Sequence, residues 1–198
     1  MNSSHTNSIL STIEGRRSVR AYTSKRVDRE MIQALLRAAV RAPTALHEEQ
    51  WVFAVVQGRE RLKRLSGQTR TPFAGTVGAA MHAPRIHPVE PSEDFNLFYD
   101  ADTLILIGAQ PMGPFVPADC WLAAENLMLA AHAMGLGSCV IGSAVAGLNQ
   151  DDVKAELGLP AEIQIVVPII VGWPSTPGTP SPRREPEVLA WISDPLSA

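Results

Sequence analysis

Cysteine is scarce in this chain. Two residues of 198, Cys120 and Cys139, form no CxxC pair, so neither a disulfide framework nor a cysteine-rich metal module is expected. Charge is also modest, at 19% of residues against 45% hydrophobic, which excludes a disordered acidic or basic protein. Long hydrophobic runs are absent. The longest, Gln164 to Trp173, is interrupted by Pro168 and is too short to span a bilayer. Residues Met1 to Ser8 are polar and lack the charged-then-apolar layout of a secretion signal. The expectation is a cytoplasmic protein without a membrane segment. A pI near 5.9 likewise argues against a nucleic-acid partner. At about 150 residues per domain, 1–198 reads as a single domain. It is large enough to bury roughly 70% of its unfolded surface without a metal or disulfide.

Basic residues are missing from one half. Residues 1–99 carry 14 Lys and Arg against 9 Asp and Glu, a balance of +5, whereas 100–198 carry 3 against 11, a balance of −8. Two of those three lie side by side as Arg183 and Arg184, stranded in an acidic half. Such a pair suggests local service to a small anion.

Hydrophobic spacing gives the elements. Asn7 to Glu14 places Ile9, Leu10 and Ile13 at helical intervals. Asp28 is a candidate N-cap for a helix whose apolar face is Ile32, Leu35, Leu36, Ala39 and Val40. Trp51 to Val56 reads as a strand and Arg59 to Leu65 as a short helix. Thr103 to Ala109 is a continuous apolar run, like a strand buried on both faces. Pro117 to Met134 is the strongest helix, with proline in its first turn and Gly135 placed to close it. It is apolar nearly all round, which predicts a central position or a subunit interface. Cys139 to Ile141 reads as a short strand, Gln150 to Leu157 as a helix, and Ile163 to Gly172 as the last core strand. Fourteen of the 16 prolines fall in two clusters, Pro72 to Pro117 and Pro168 to Pro195. Residues 67–98 therefore read as an irregular insertion or substrate lid, and 173–198 as a proline-rich arm running extended over a surface.

Several site signatures fail. Gly135 and Gly137 begin a dinucleotide fingerprint, but Val140 stands where its third glycine belongs. Ser143 and Ala144 follow Gly142 where a phosphate loop needs Lys and Ser or Thr. No GxSxG elbow is present, and His47-Glu48 lacks the second histidine of a zinc helix. Cys120, His132 and Cys139 lack metal-site spacing, so they read as two buried thiols and a helix histidine. The positive signal is Arg16-Arg17-Ser18-Val19-Arg20: three guanidiniums and a hydroxyl within five residues. Guanidinium forks bind phosphate oxygens bidentately and stay charged at every relevant pH. In an extended segment Arg16, Ser18 and Arg20 share one side.

Four segments together resemble the FMN-dependent nitroreductase family. They are RRSVRAY at Arg16 to Tyr22, the stretch Ala42 to Val56, DCWLAAENLMLAAHAMGLGSCVIG at Asp119 to Gly142, and PRREPEVLAW at Pro182 to Trp191. Their order and spacing agree with the family outside 67–98. The resemblance implies an α+β, three-layer fold, with a central sheet flanked by helices and an extended C-terminal arm. It implies a homodimer with FMN at the subunit interface and NAD(P)H as co-substrate. Arg16, Arg17, Ser18 and Arg20 are then expected to hold the phosphate, ribityl chain and pyrimidine edge. Arg183 and Arg184 close on the phosphate, followed by a short helix. Pro43, Thr44 and Ala45 come from the other subunit, and Val140, Ile141 and Gly142 back the ring. No side chain is assigned a catalytic role, because the flavin carries the chemistry. A hydride passes from NAD(P)H to flavin N5 and on to a nitroaromatic, quinone or similar small-molecule acceptor, in ping-pong order.

The chain departs from the family pattern at His47, Glu49 and Gln50, where Asn, Gln and Pro are usual. His47 can replace part of the Asn's hydrogen bonding to the flavin. If the segment is extended, His47 and Glu49 point the same way. Two alternatives accompany the resemblance: the same fold with other flavin chemistry such as dehalogenation or flavin degradation, or a non-catalytic FMN-binding or structural dimer.

Overall fold

The computed structural model describes residues 3–69, 95–110, 113–176, 178 and 182–193. Its helices are α1 (Ser3–Gly15), α2 (Arg29–Ala39), α3 (Arg59–Gln68), α4 (Val116–Ala133), α5 (Val145–Leu148) and α6 (Asp151–Glu156). Its strands are β1 (Trp51–Gln57), β2 (Thr103–Ala109), β3 (Gly137–Val140) and β4 (Gln164–Gly172). The strands form one sheet in the order β1-β2-β4-β3, antiparallel throughout.

The sheet lies between two helical layers, and the strand period of two explains how. Ile105, Ile107 and Ala109 of β2, with Val167, Ile169 and Val171 of β4, join the core formed with α2 and α4. Leu104 and Leu106, with Ile170, point the other way into a core with Leu62 and Leu65 of α3, Leu148 of α5 and Val153 of α6. This is why both central strands read as unbroken apolar runs. Ile165 appears on the wrong side for its number. A bulge between Ile107 and Gly108 pairs Val167 with the first and Ile165 with the second, so Val166 is an extra residue and parity flips.

Pro168 sits inside β4 without breaking the sheet. Its carbonyl accepts from Ile141 N at 2.9 Å, so its nitrogen also faces the β3 side. Pairing with β3 has already ended at Val140, opposite Ile169. The missing N–H forfeits only the bond that would answer Ile141's, at the point where β3 leaves the sheet.

The helix signals work locally. Asp28 caps α2 through Oδ1, accepting from Met31 N at 2.8 Å. Pro117 falls in the first turn of α4, and Gly135, at φ +78, follows its end. Only one side of α4 enters the core: Cys120, Ala124 and Leu127 are buried, whereas Trp121 and Leu122 are 49% and 45% exposed. α1 presents Ile9, Leu10 and Ile13 outward.

Residues 70–94, most of the expected insertion or lid, lie outside the described residues. At the flanks, Gly67 and Gln68 belong to α3, and Phe98 is fully buried. Pro182 to Ser193 is extended and exposed, so the helix expected after the basic pair is absent there. Pro186 supplies no N–H and disfavours a helical residue before it, which accounts for the difference.

Candidate functional site

The segment following α1 is seated on a bare corner of the sheet. Gly137 of β3 and Gly172 of β4 face each other across the pairing. A Cβ on Gly137 would lie 2.7 Å from Val19 Cβ, and one on Gly172 would lie 2.8 Å from Tyr22 Cδ1. Two glycines thus let residues 19–22 approach the sheet backbone directly. Val19 N donates to Ser138 O at 3.0 Å, and Ser18 bridges Ser138 in parallel. On the other side Thr23 N donates to Trp173 O at 2.8 Å and Ser175 N to Ala21 O at 3.0 Å. The start of the C-terminal arm therefore clamps the segment against β3.

Arg16, Ser18 and Arg20 act on one group, the Cys139 thiol, as expected of alternate residues in an extended segment. Burial pushes that thiol up, while Arg20, Ser18 and Arg16 oppose the shift. Tyr22 is also pushed up, chiefly by burial and further by Cys139, and its hydroxyl donates to Val19 O at 2.6 Å. Arg16 Nε lies 3.8 Å from Glu125 Oε1 on α4. Half of the Glu125 side chain is exposed, so this pair adds little stability. Arg17 turns back on its own chain, donating from Nη1 to the carbonyls of Glu14 and Arg16, and its buried Nε has no partner. The Arg20 guanidinium stands 5.9 Å from the Tyr99 ring centroid.

Val140, Ile141 and Gly142 lie at the other end of β3 from the Gly137–Gly172 pair. Ile141 is buried under its bond to Pro168 O, and Gly142 opens a 3₁₀ turn, Gly142–Ala144. The structure thus seats Arg16 to Arg20 on Ser138 and Cys139, next in sequence to Val140. Beside the arginines is a cavity of 330 Å³ bordered by Arg16, Arg17, His132, Ser138 and Thr176, which Val140, Ile141 and Gly142 do not line. In the sequence alone His132 reads as a helix histidine. Its position in the last turn of α4, just before the chain returns through Gly135 to β3, was the available signal. Among the described residues no group of three His, Cys, Asp or Glu is placed to hold a metal ion.

The remaining candidates stand apart from this corner. Pro43, Thr44 and Ala45 are held at the start of α4, where Asp119 Oδ1 accepts from Ala45 N at 3.1 Å. Asp119 and Glu125 are six residues apart, which on a helix is about 9 Å along and roughly a third of a turn apart in facing. Among the described residues no hydrogen bond or ion pair joins Pro43–His47 to Arg16–Arg20 within one chain. Nor is the segment around His47 extended. Ala45–His47 is a 3₁₀ turn, Glu48 is right-handed, and His47 and Glu49 have φ of 57 and 45. The shared direction expected for His47 and Glu49 fails for that reason. Both residues are exposed. Arg183 and Arg184 are exposed on the extended stretch 182–193. The part of the arm that meets the arginine segment is nearer its start, where a Cβ on Gly178 would lie 3.0 Å from Arg17 Cβ.

A sequence model described as the nitroreductase family matches residues 13–173. A relative from Archaeoglobus fulgidus, provisionally named NADH dehydrogenase/NAD(P)H nitroreductase, is 30% identical over 170 residues, or 83% of this chain and 84% of its own length. One from Bacillus subtilis, named FMN reductase (NAD(P)H), is 26% identical over 191 residues, or 92% of this chain and 72% of its own. The crystal structure of a nitroreductase with bound FMN from Bacteroides fragilis superposes with a TM-score of 0.73 at 25% identity, covering 98% of this chain and 100% of that one.

Proposed function

The chain belongs to the nitroreductase family, and from that premise we propose that it is a homodimeric FMN-dependent oxidoreductase. It takes a hydride from NAD(P)H and delivers reducing equivalents to a nitroaromatic, quinone or similar small acceptor. The observation that carries this reading is the seating of Ser18 and Val19 on Ser138, which gathers Arg16, Arg17 and Arg20 at the end of β3. The relatives' names, a nitroreductase and an FMN reductase, both linked to NAD(P)H, support the same chemistry.

The residues present fit the cofactor. A buried guanidinium nitrogen without a partner, Arg17 Nε, is costly unless an acceptor arrives. The cavity beside it lies within the roughly 300–1,000 Å³ usual for small-molecule sites. FMN, when bound, supplies the hydride-transfer chemistry. The chain's part is to bind and orient. Arg16 and Arg17 serve the phosphate as permanent cations, with Arg183 and Arg184 brought to it by the arm. Ser18 and Arg20 serve the ribityl chain and pyrimidine edge, where a fixed cation stabilises the negative charge that reduction develops. Val140, Ile141 and Gly142 form an apolar backing that keeps water from one side. No side chain is required as acid or base.

Assembly completes the site. Pro43, Thr44, Ala45 and His47 reach the cofactor of the partner protomer, consistent with their attachment to a different face of α4 from Glu125. The outward residues Ile9, Leu10 and Ile13 of α1 and Trp121 and Leu122 of α4 lie on packed neighbouring helices. Together they offer an apolar face of the kind that marks an interface.

An absorbance spectrum tests the function. Purified protein, after incubation with FMN and gel filtration, should be yellow and should bleach on adding NAD(P)H without oxygen. A colourless protein, or a flavin band that NAD(P)H leaves intact, would refute the reading.

A further inference from the structure

His132 is a polar residue on the arginine cavity that the proposed cofactor set does not use. It lines that cavity with Arg16, Arg17, Ser138 and Thr176. Among the described residues its imidazole has no hydrogen-bond or ion-pair partner. Gly15 makes room for it, since a Cβ there would lie 2.5 Å from His132 Nε2. The cavity therefore gathers two guanidiniums, an imidazole and two hydroxyls, with one buried guanidinium nitrogen unpaired. A tetrahedral oxyanion, able to accept several hydrogen bonds at once, is the ligand chemistry such a donor set fits.

We propose that His132 is a phosphate-binding residue whose imidazole joins Arg16 and Arg17 around the cofactor's phosphate monoester. The inference rests on the FMN reading above and adds a residue to it. Two charged groups border the imidazole from the segment after α1, Arg16 and Arg17. On α4 itself Glu125 is engaged with Arg16, and at the end of α1 Glu14 is exposed. Among the described residues that line the cavity, β3 and the start of the arm contribute Ser138 and Thr176, with the buried Cys139 thiol next to Ser138.

The test compares FMN with riboflavin, which lacks the phosphate, in wild type and His132→Gln. The ratio of the two proteins' FMN dissociation constants should be about tenfold, the scale of one charge-assisted hydrogen bond. Riboflavin should bind both proteins equally. Loss of both ligands in the variant would mean that it is misfolded, and the wild type then decides. By imidazole NMR, the His132 ring signals should shift with FMN and stay put with riboflavin. A ratio of one with FMN still bound, or His132 ring signals unmoved by FMN, overturns the role of His132 alone. Failure of wild type to bind FMN at any pH overturns the flavin reading as well.

Discussion

Replacing Gly137 with Ala should lift the arginine segment off the sheet. The new methyl would lie 2.7 Å from Val19 Cβ and 2.8 Å from each of its γ carbons. Carbons in contact keep roughly 3.5–4.0 Å, so Val19 must retreat by about 1 Å. The 3.0 Å bond from Val19 N to Ser138 O then opens toward about 4 Å and is lost. Overpacking costs about 1–3 kcal/mol and the bond about 0.5–1.5 kcal/mol, together about 1.5–4.5 kcal/mol. Because Arg16, Arg17 and Arg20 ride on the displaced backbone, FMN affinity should fall at least tenfold, equivalent to about 1.4 kcal/mol. Gly147→Ala is the control. Its methyl would collide with the Thr69 backbone in the opposite helical layer, so it should lower stability without touching the arginines. Urea unfolding in excess FMN and a fluorescence titration separate the two effects. Val19→Ala in the Gly137→Ala background removes two of the three close contacts and should restore part of both losses. Wild-type FMN affinity in Gly137→Ala would refute the idea that the glycine pair seats the site.

Three further outcomes follow from features already described. If the arm delivers Arg183 to the phosphate, Arg183→Ala should weaken FMN by about 1.5–3 kcal/mol, and an unchanged titration would make the pair ordinary surface. Sedimentation should show a dimer that persists on dilution and is stabilised by free FMN through mass action; a monomer with full flavin occupancy would contradict the shared site. Burial pushes the Cys120 thiol up to about 11, with Asp119 adding to it, and pushes Cys139 up too. Both should therefore be protonated at pH 8 and slow toward a thiol reagent until urea is added; rapid native labelling of either would count against this burial.

The legible parts of the chain were those where a single segment carries its own instruction. Thr103 to Ala109 and Ile163 to Gly172 announced two-faced burial because every side chain is apolar, and Asp28 announced a helix start through its carboxylate. The arginine cluster was legible for the same reason, as five consecutive residues. What stayed hidden were relations between distant segments. Gly137 reads as part of a turn until Gly172 is paired with it and Val19 laid on top. His132 looks like helix filler until Gly15 is placed beside it. The turn at His47 and Glu49 defeated the extended reading because positive φ in a histidine and a glutamate is imposed by surroundings, not by propensity. β3 was misplaced by two residues because Gly137 and Ser138 have no strand preference of their own.

The strand order has a consequence for how the chain reaches this state. None of the three pairings is a tight hairpin: α3 separates β1 from β2, α4 and β3 lie between β2 and β4, and α5 and α6 separate β3 from β4. Each ladder therefore closes a long loop before any pairing rewards it, a topology that folds slowly. The arginine segment needs both β3 and the start of the arm beyond β4, so it docks only after the last strand is in place. A ligand recognised by that segment arrives too late to guide the search and can only hold its result. FMN should then leave the refolding rate in a stopped-flow experiment unchanged and slow unfolding, as expected for interactions absent from the transition state. Faster refolding with FMN would instead place the docking of Arg16 to Arg20 ahead of the rate-limiting step.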